Sequence, residues 1–211
     1  SMQMVLNGIV GGNGFMINPS RCQVNTVNAD MVSDSANTAT GSFNFTTNGC
    51  PSNFVSSPTI TANVSPSETA KPTGLTLGIN SAASNPTIGA VEVTLPTGME
   101  INPAVGNGPL QACSTAAIDA GAGACPASSN VGSVSLTTPL LTGGQSGNIY
   151  LETPGGTAAT RYKLAIVVTL PSGFLVIRGT AQVNGSGLGV DAGTGQVTAD
   201  FDNLPDVPFS A

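Results

Sequence analysis

Tyr162-Lys-Leu-Ala-Ile-Val-Val-Thr-Leu170, then Pro171-Ser-Gly173, then Phe174-Leu-Val-Ile-Arg178, is the stretch that decides the fold. Two runs rich in β-branched and aromatic residues flank a short Pro-Ser-Gly break, which is the pattern of a strand, a turn and a strand. The same signature repeats outward from it. Val91, Val93 and Leu95 alternate with Glu92 and Thr94, and Leu75, Leu77 and Ile79 alternate with Thr76 and Gly78. Val131, Val134 and Leu136 sit among Gly, Ser and Thr. Turn signals recur at Pro96-Thr-Gly98, Thr142-Gly-Gly144, Pro154-Gly-Gly156, Gly185-Ser-Gly187 and Gly193-Thr-Gly195. Many short strands punctuated by Gly and Pro predict an all-β, β-sandwich-like fold.

One segment has helical character. Ser114 can cap Thr115-Ala-Ala-Ile-Asp-Ala120, and Gly121 can end it. So short a helix does not persist alone in water, so its position between Cys113 and Cys125 matters. Domain organisation is read at the polar, proline-punctuated stretch around residues 65–73. It separates an N-terminal β unit, 1–65, from a larger β-sandwich domain, 66–211, and it reads equally as a loop inside one continuous fold.

Composition narrows the setting. Of 211 residues only 8% are charged, against about 25% in ordinary globular chains. Yet 40% are hydrophobic, enough for a core. The surface must therefore be built from Thr, Ser, Asn and Gly, as in many exported β-proteins. Net charge is −6 with five basic residues, which repels phosphate backbones and excludes nucleic acid as a partner. No run approaches the ~20 apolar residues that cross a bilayer, and no signal peptide is visible. The opening Ser1-Met2 reads as a cloning remnant and the chain as a fragment of a longer protein.

Four cysteines, Cys22, Cys50, Cys113 and Cys125, fit two disulfides in any of three connectivities. The sequence-local pairing, Cys22 with Cys50 and Cys113 with Cys125, closes each loop inside one structural unit. Free buried thiols are the alternative. A zinc site fails on spacing, with no CxxC pair and no histidine in the chain.

A further likeness rests on an ordered set of short segments. It runs through Asn18-Pro19-Ser20-Arg21-Cys22, Gly49-Cys50, Pro72-Thr73-Gly74-Leu75, Leu95-Pro96-Thr97-Gly98-Met99 and Ile101-Asn102-Pro103. It continues with Ala112-Cys113-Ser114, Cys125-Pro126, Thr138-Pro139-Leu140-Leu141 and Gly147-Asn148-Ile149-Tyr150-Leu151. It closes on Gly195-Gln196-Val197-Thr198 and on Phe201-Asp202-Asn203-Leu204-Pro205-Asp206-Val207-Pro208-Phe209. In this the chain resembles a repeat unit of large exported, mainly actinobacterial cell-surface proteins. The resemblance implies secretion or surface display and tandem copies, and transfers no catalytic residue. It also implies one more apolar strand after Pro208-Phe209-Ser210. The alternating segment at residues 3–8 is expected to be that strand, belonging to a preceding repeat or filling the vacant sheet edge.

Chemistry-bearing residues are sparse. Without histidine, Ser-His-Asp and Cys-His mechanisms are excluded. Paired carboxylates can hydrolyse glycosides, but Glu92 sits outward on an alternating strand and Glu100 follows a turn, neither with a partner legible in sequence. Asp191, Asp200, Asp202 and Asp206 form the densest acidic region and are the calcium candidates; their spacing does not match an EF-hand, and turn capping by Asp and Asn is the preferred account of them. Lys71 and Lys163 are candidates for a Lys–Asn isopeptide bond, Lys163 the better because it opens an apolar strand. The neighbouring Arg161 and an expected edge position favour an ordinary solvated lysine. Rows of Thr, Ser and Asn that bind ice or carbohydrate need a short repeat, and none is present. Stacking platforms are limited to Tyr150, Tyr162 and a few Phe. Phe43, Phe45 and Phe174 are expected to be core. The expectation is a non-enzymatic structural or spacer module of a secreted or cell-surface protein, with adhesion as an added role. It has no cofactor beyond the calcium candidates, and neighbouring repeats, a host or matrix protein or a glycan are its partners. A carbohydrate- or protein-binding module is the alternative, and a hydrolase the further one.

Overall fold

A computed structural model describes residues 4–14, 16, 18–19, 22–50, 56–82, 85–99, 111–138, 143–153, 162–183 and 197–205. It is all-β and antiparallel, with one short helix and two disulfides. Two compact units divide between Thr87 and Ile88. The stretch at 66–73 is the turn of a hairpin inside the first unit, so the expected break near residue 65 falls within paired backbone.

In the first unit, β1 (Ile9–Val10) and β2 (Asn13–Gly14) turn through Gly11 and Gly12, both at positive φ. Residues 4–8 belong to no strand, although Gly8 accepts a backbone hydrogen bond from Met16. The strand expected at 3–8 is therefore not formed by the described residues; glycines at 11 and 12 place the turn so that pairing starts at Ile9. Next, β3 (Val24–Val32) pairs with β4 (Thr38–Thr46), and β5 (Thr59–Ser65) with β6 (Gly74–Asn80). Register sorts side chains by the period of two. Ile60, Ala62, Val64, Leu75, Leu77 and Ile79 share one face of β5–β6, and Thr59, Thr61, Asn63, Thr76 and Asn80 share the other. In β3–β4, Val27, Ala29, Met31, Ala39, Phe43 and Phe45 lie together with Asn25, and the opposite face is mainly Thr, Asn and Ser with Asp30 and with Val24 and Val32 at its ends. Cys22–Cys50 ties the open end of the β3–β4 hairpin. At the base of β5–β6 the buried Asn85 side chain donates to the Ser56 carbonyl (2.8 Å) and Ser81 Oγ (3.0 Å) and accepts from the Ser56 amide (3.1 Å).

The second unit holds one six-stranded sheet, β7 (Val91–Thr94), β8 (Asn130–Leu136), β9 (Gln145–Glu152), β10 (Tyr162–Leu170), β11 (Gly173–Val183) and β12 (Val197–Phe201), in the order β7-β12-β11-β10-β9-β8. The β10–β11 hairpin expected from sequence is present, closed by Pro171 and Ser172 between paired Leu170 and Gly173. Strand β10 is central, paired along both edges, and residues on both of its faces join packed clusters. Ala165 and Val167 pack with Cys113, Ile118 and Ala122 on one side. Leu164 packs with Leu151, Ala181 and Val197 on the other. The uneven spacing of Val131, Val134 and Leu136 is resolved by a bulge between Asn130 and Gly132, which leaves Val131 exposed while Val134 and Leu136 turn inward.

The helix α1 (Thr115–Asp119) is built as its sequence indicates. Ser114 Oγ accepts from the Ala117 amide at 3.2 Å. At the other end the Ala122 amide donates to the Ala117 carbonyl and the Gly121 amide to Ile118, with Gly121 at φ +89°. That pair of bonds is a Schellman motif, and the left-handed residue it needs is the glycine. Ile118 is fully buried against the sheet, which supplies the stability five residues cannot.

Candidate functional site

The strongest concentration of charge chemistry lies where α1 meets the sheet. Cys113 acts as a one-residue strand beside β9: its amide donates to Leu151, and its carbonyl accepts from both the amide and Oγ1 of Thr153. It takes the edge that β8 leaves vacant past Tyr150. From there the chain climbs through α1, returns through a 3-10 turn at Ala127–Ser129, and enters β8. The Cys113–Cys125 bond closes this arch. Register puts Glu152, Lys163 and Thr180 in one row of the helix-bearing face, and Tyr150, Ala165 and Arg178 in the next.

Arg178 reaches from β11 to two carboxylates. Its Nε lies 3.1 and 3.3 Å from the two oxygens of Glu152, and one terminal nitrogen lies 2.5 Å from Asp119 of α1. Glu152 is 1% exposed, whereas the Arg178 and Asp119 side chains are 41% and 57% exposed. The hydrogen bond to Asp119 raises the Arg178 pKa above its ordinary value, with the charge of Glu152 adding to it and desolvation opposing. The guanidinium is thus shared between two carboxylates. The arrangement is a clasp joining β9, β11 and α1. Sequence reading did not identify it, since its three members come from segments far apart in the chain. The one local signal is Glu152 at the end of an otherwise apolar run, a position where a buried carboxylate needs a cation.

The residues singled out from sequence distribute as follows. Both disulfides form in the sequence-local pairing. Glu92 is exposed on the edge strand β7, directly opposite Asp200 of β12, beside Thr94 and Thr198, whose hydroxyls lie 3.2 Å apart. Asp202 follows β12, exposed; among the described residues no three acidic or cysteine side chains gather as a metal cluster. Asp191, Asp206, Glu100 and Arg161 lie outside the described residues. Lys71 is exposed in the β5–β6 turn. Lys163 is half-buried on the central strand rather than at an edge, because β9 and β11 both pair with β10. Its cross-strand neighbours are Glu152 and Thr180, neither of them an asparagine.

The expectation that the Phe residues are core holds unevenly. Phe45 is half-buried, but Phe43 is 69% exposed on the apolar face of β3–β4. Val27 and Met31 of the same face are exposed with it. Phe174 is also partly exposed, its ring lying over Gly121 at the helix end. Among the described residues no helix is long and apolar enough to cross a membrane. The two disulfides fit an oxidising environment. No protein family, no curated protein and no solved structure matches the chain.

Proposed function

We propose that the chain is a non-enzymatic structural module, a spacer unit of a secreted or cell-surface protein. The observation that carries the reading is the placement of its cross-links: one disulfide within each compact unit, each closing a local loop. Outside the cell no chaperone rebuilds an unfolded domain, so a unit that must persist benefits from a constrained unfolded state. The only ion-pair network among the described residues ties the helix to the sheet, and so serves the scaffold. The likeness to tandem surface repeats points the same way and makes neighbouring copies the natural partners.

A binding module is the second reading, and the open apolar faces of the first unit favour it, because such faces mark interaction surfaces. A glycan array together with a turnover screen against model glycosides separates these readings. The spacer reading expects no saturable glycan binding and no turnover. Saturable binding to a defined glycan replaces it with the binding module, and turnover that depends on Glu92 or Asp200 replaces it with the hydrolase.

A further inference from the structure

The first unit carries two amphipathic hairpins whose apolar faces are both uncovered. On β5–β6 the face is apolar at every described position, and its Ile60 is 70% exposed, with Leu75, Leu77 and Ile79 also open to solvent. On β3–β4, Val27, Met31 and Phe43 are open in the same way. No described apolar residue before Thr87 belongs to the buried core. An isolated two-stranded hairpin is at best marginally stable in water, so each face requires a layer against it.

The chemistry of that layer follows from the faces. The charged side chains of the described first unit, Asp30, Asp34, Glu68 and Lys71, lie on the polar face or in the turns and never on the apolar faces. The occupant is therefore an uncharged, pleated apolar surface of similar strand length. The chain carries two such surfaces, and both stand open in the same molecule, so neither covers the other. At roughly 100 Å² for each exposed side chain, the seven residues named present on the order of 700 Å² per copy. Taken over both faces, that is close to the about 800 Å² that each partner buries in a standard interface.

We infer that the occupant is a second copy of this chain, with β3–β4 of each copy laid against β5–β6 of the other. A two-fold arrangement covers all four faces at once and closes the assembly. This pairing does not depend on the spacer role, since a binding module with the same faces would associate in the same way.

Sedimentation velocity of the full chain from about 1 to 200 µM tests it. The expected result is a monomer–dimer equilibrium whose midpoint rises at least tenfold in the Ile60→Asn/Leu77→Asn double variant. Hydrogen exchange provides a second readout, with amides of β5–β6 in the unsubstituted chain gaining protection as concentration rises. Should the double variant lose its β-sheet signal, Phe43→Ser on the other hairpin reports on the same interface. A monomer across the whole range, open-ended aggregation, or a variant that dimerises like the parent overturns the inference; the glycan and turnover screens judge the spacer role separately.

Discussion

Replacing Arg178 with leucine removes the cation from a carboxylate that water cannot reach. Glu152 is 1% exposed, and both of its oxygens face Arg178 Nε. Breaking a fully buried pair from one side costs about 3–5 kcal/mol. Here the arginine side chain is 41% exposed, so solvent shares in the interaction and about 2–3 kcal/mol is the better expectation. The second contact adds little, because Asp119 is 57% exposed and a solvent-facing pair contributes roughly 0–1 kcal/mol. Arg178→Leu should therefore lower the melting temperature of the second unit by roughly 8–12 °C, at about 4 °C per kcal/mol for a domain of this size. Asp119→Asn should lower it by less than about 4 °C. The Arg178→Leu/Glu152→Leu double variant should recover much of the single loss, since removing both charges removes the uncompensated one. Thermal melts under non-reducing conditions measure all three, and with Glu152→Leu alone added the double-mutant cycle isolates the Arg178–Glu152 coupling. A loss below about 0.5 kcal/mol for Arg178→Leu, or a larger effect at Asp119 than at Glu152, refutes the clasp as described.

Further outcomes follow from local geometry. Under mild reduction of the folded protein, timed alkylation with mass spectrometry should label Cys22 and Cys50 before Cys113 and Cys125, because Cys22 is exposed while Cys113 is fully enclosed; the opposite order counts against the core placement of Cys113. Loop entropy alone ranks the bonds the other way for stability, about 3.6 kcal/mol for the 28-residue separation and about 2.8 for the 12-residue one. Cys113→Ala/Cys125→Ala also opens the core against Ile118, so equilibrium denaturation of the second unit should show a loss above that 2.8. Gly121→Ala forces a side chain to φ +89° and into the Phe174 ring, and should cost about 1–2 kcal/mol by the same assay. Ser114→Ala removes the cap on the Ala117 amide and should cost about 1 kcal/mol, with Ser114→Asp retaining most of it.

Local chemistry in this chain was legible. The Pro171-Ser172 turn, the cap at Ser114, the left-handed stop at Gly121 and the short-range disulfides each depend on residues close in sequence. The features that escaped are all non-local. Lys163 reads as the start of an edge strand until β9 is known to pair on its other side. Val131 looks like an inward residue until the bulge against β9 turns it out. The clasp joins three segments whose adjacency comes from sheet order and from the disulfide arch. Phe43 and its neighbours have the pattern of a core face, and pattern alone cannot say whether anything lies against it. Among the described residues no three acidic or cysteine side chains gather as a metal cluster, and the acids that do meet, Asp119 and Glu152, meet through Arg178.

Single-molecule extension tests the central claim, that each unit is a locally stapled structural body. A closed loop cannot be pulled out, so the Cys22–Cys50 and Cys113–Cys125 bonds should hide roughly 100 Å and 40 Å of chain, at about 3.6 Å per residue. Unfolding in oxidising buffer should fall short of full extension by those two lengths, and reductant should restore both. Equal extension in the two buffers, or a single hidden length matching neither loop, contradicts the account.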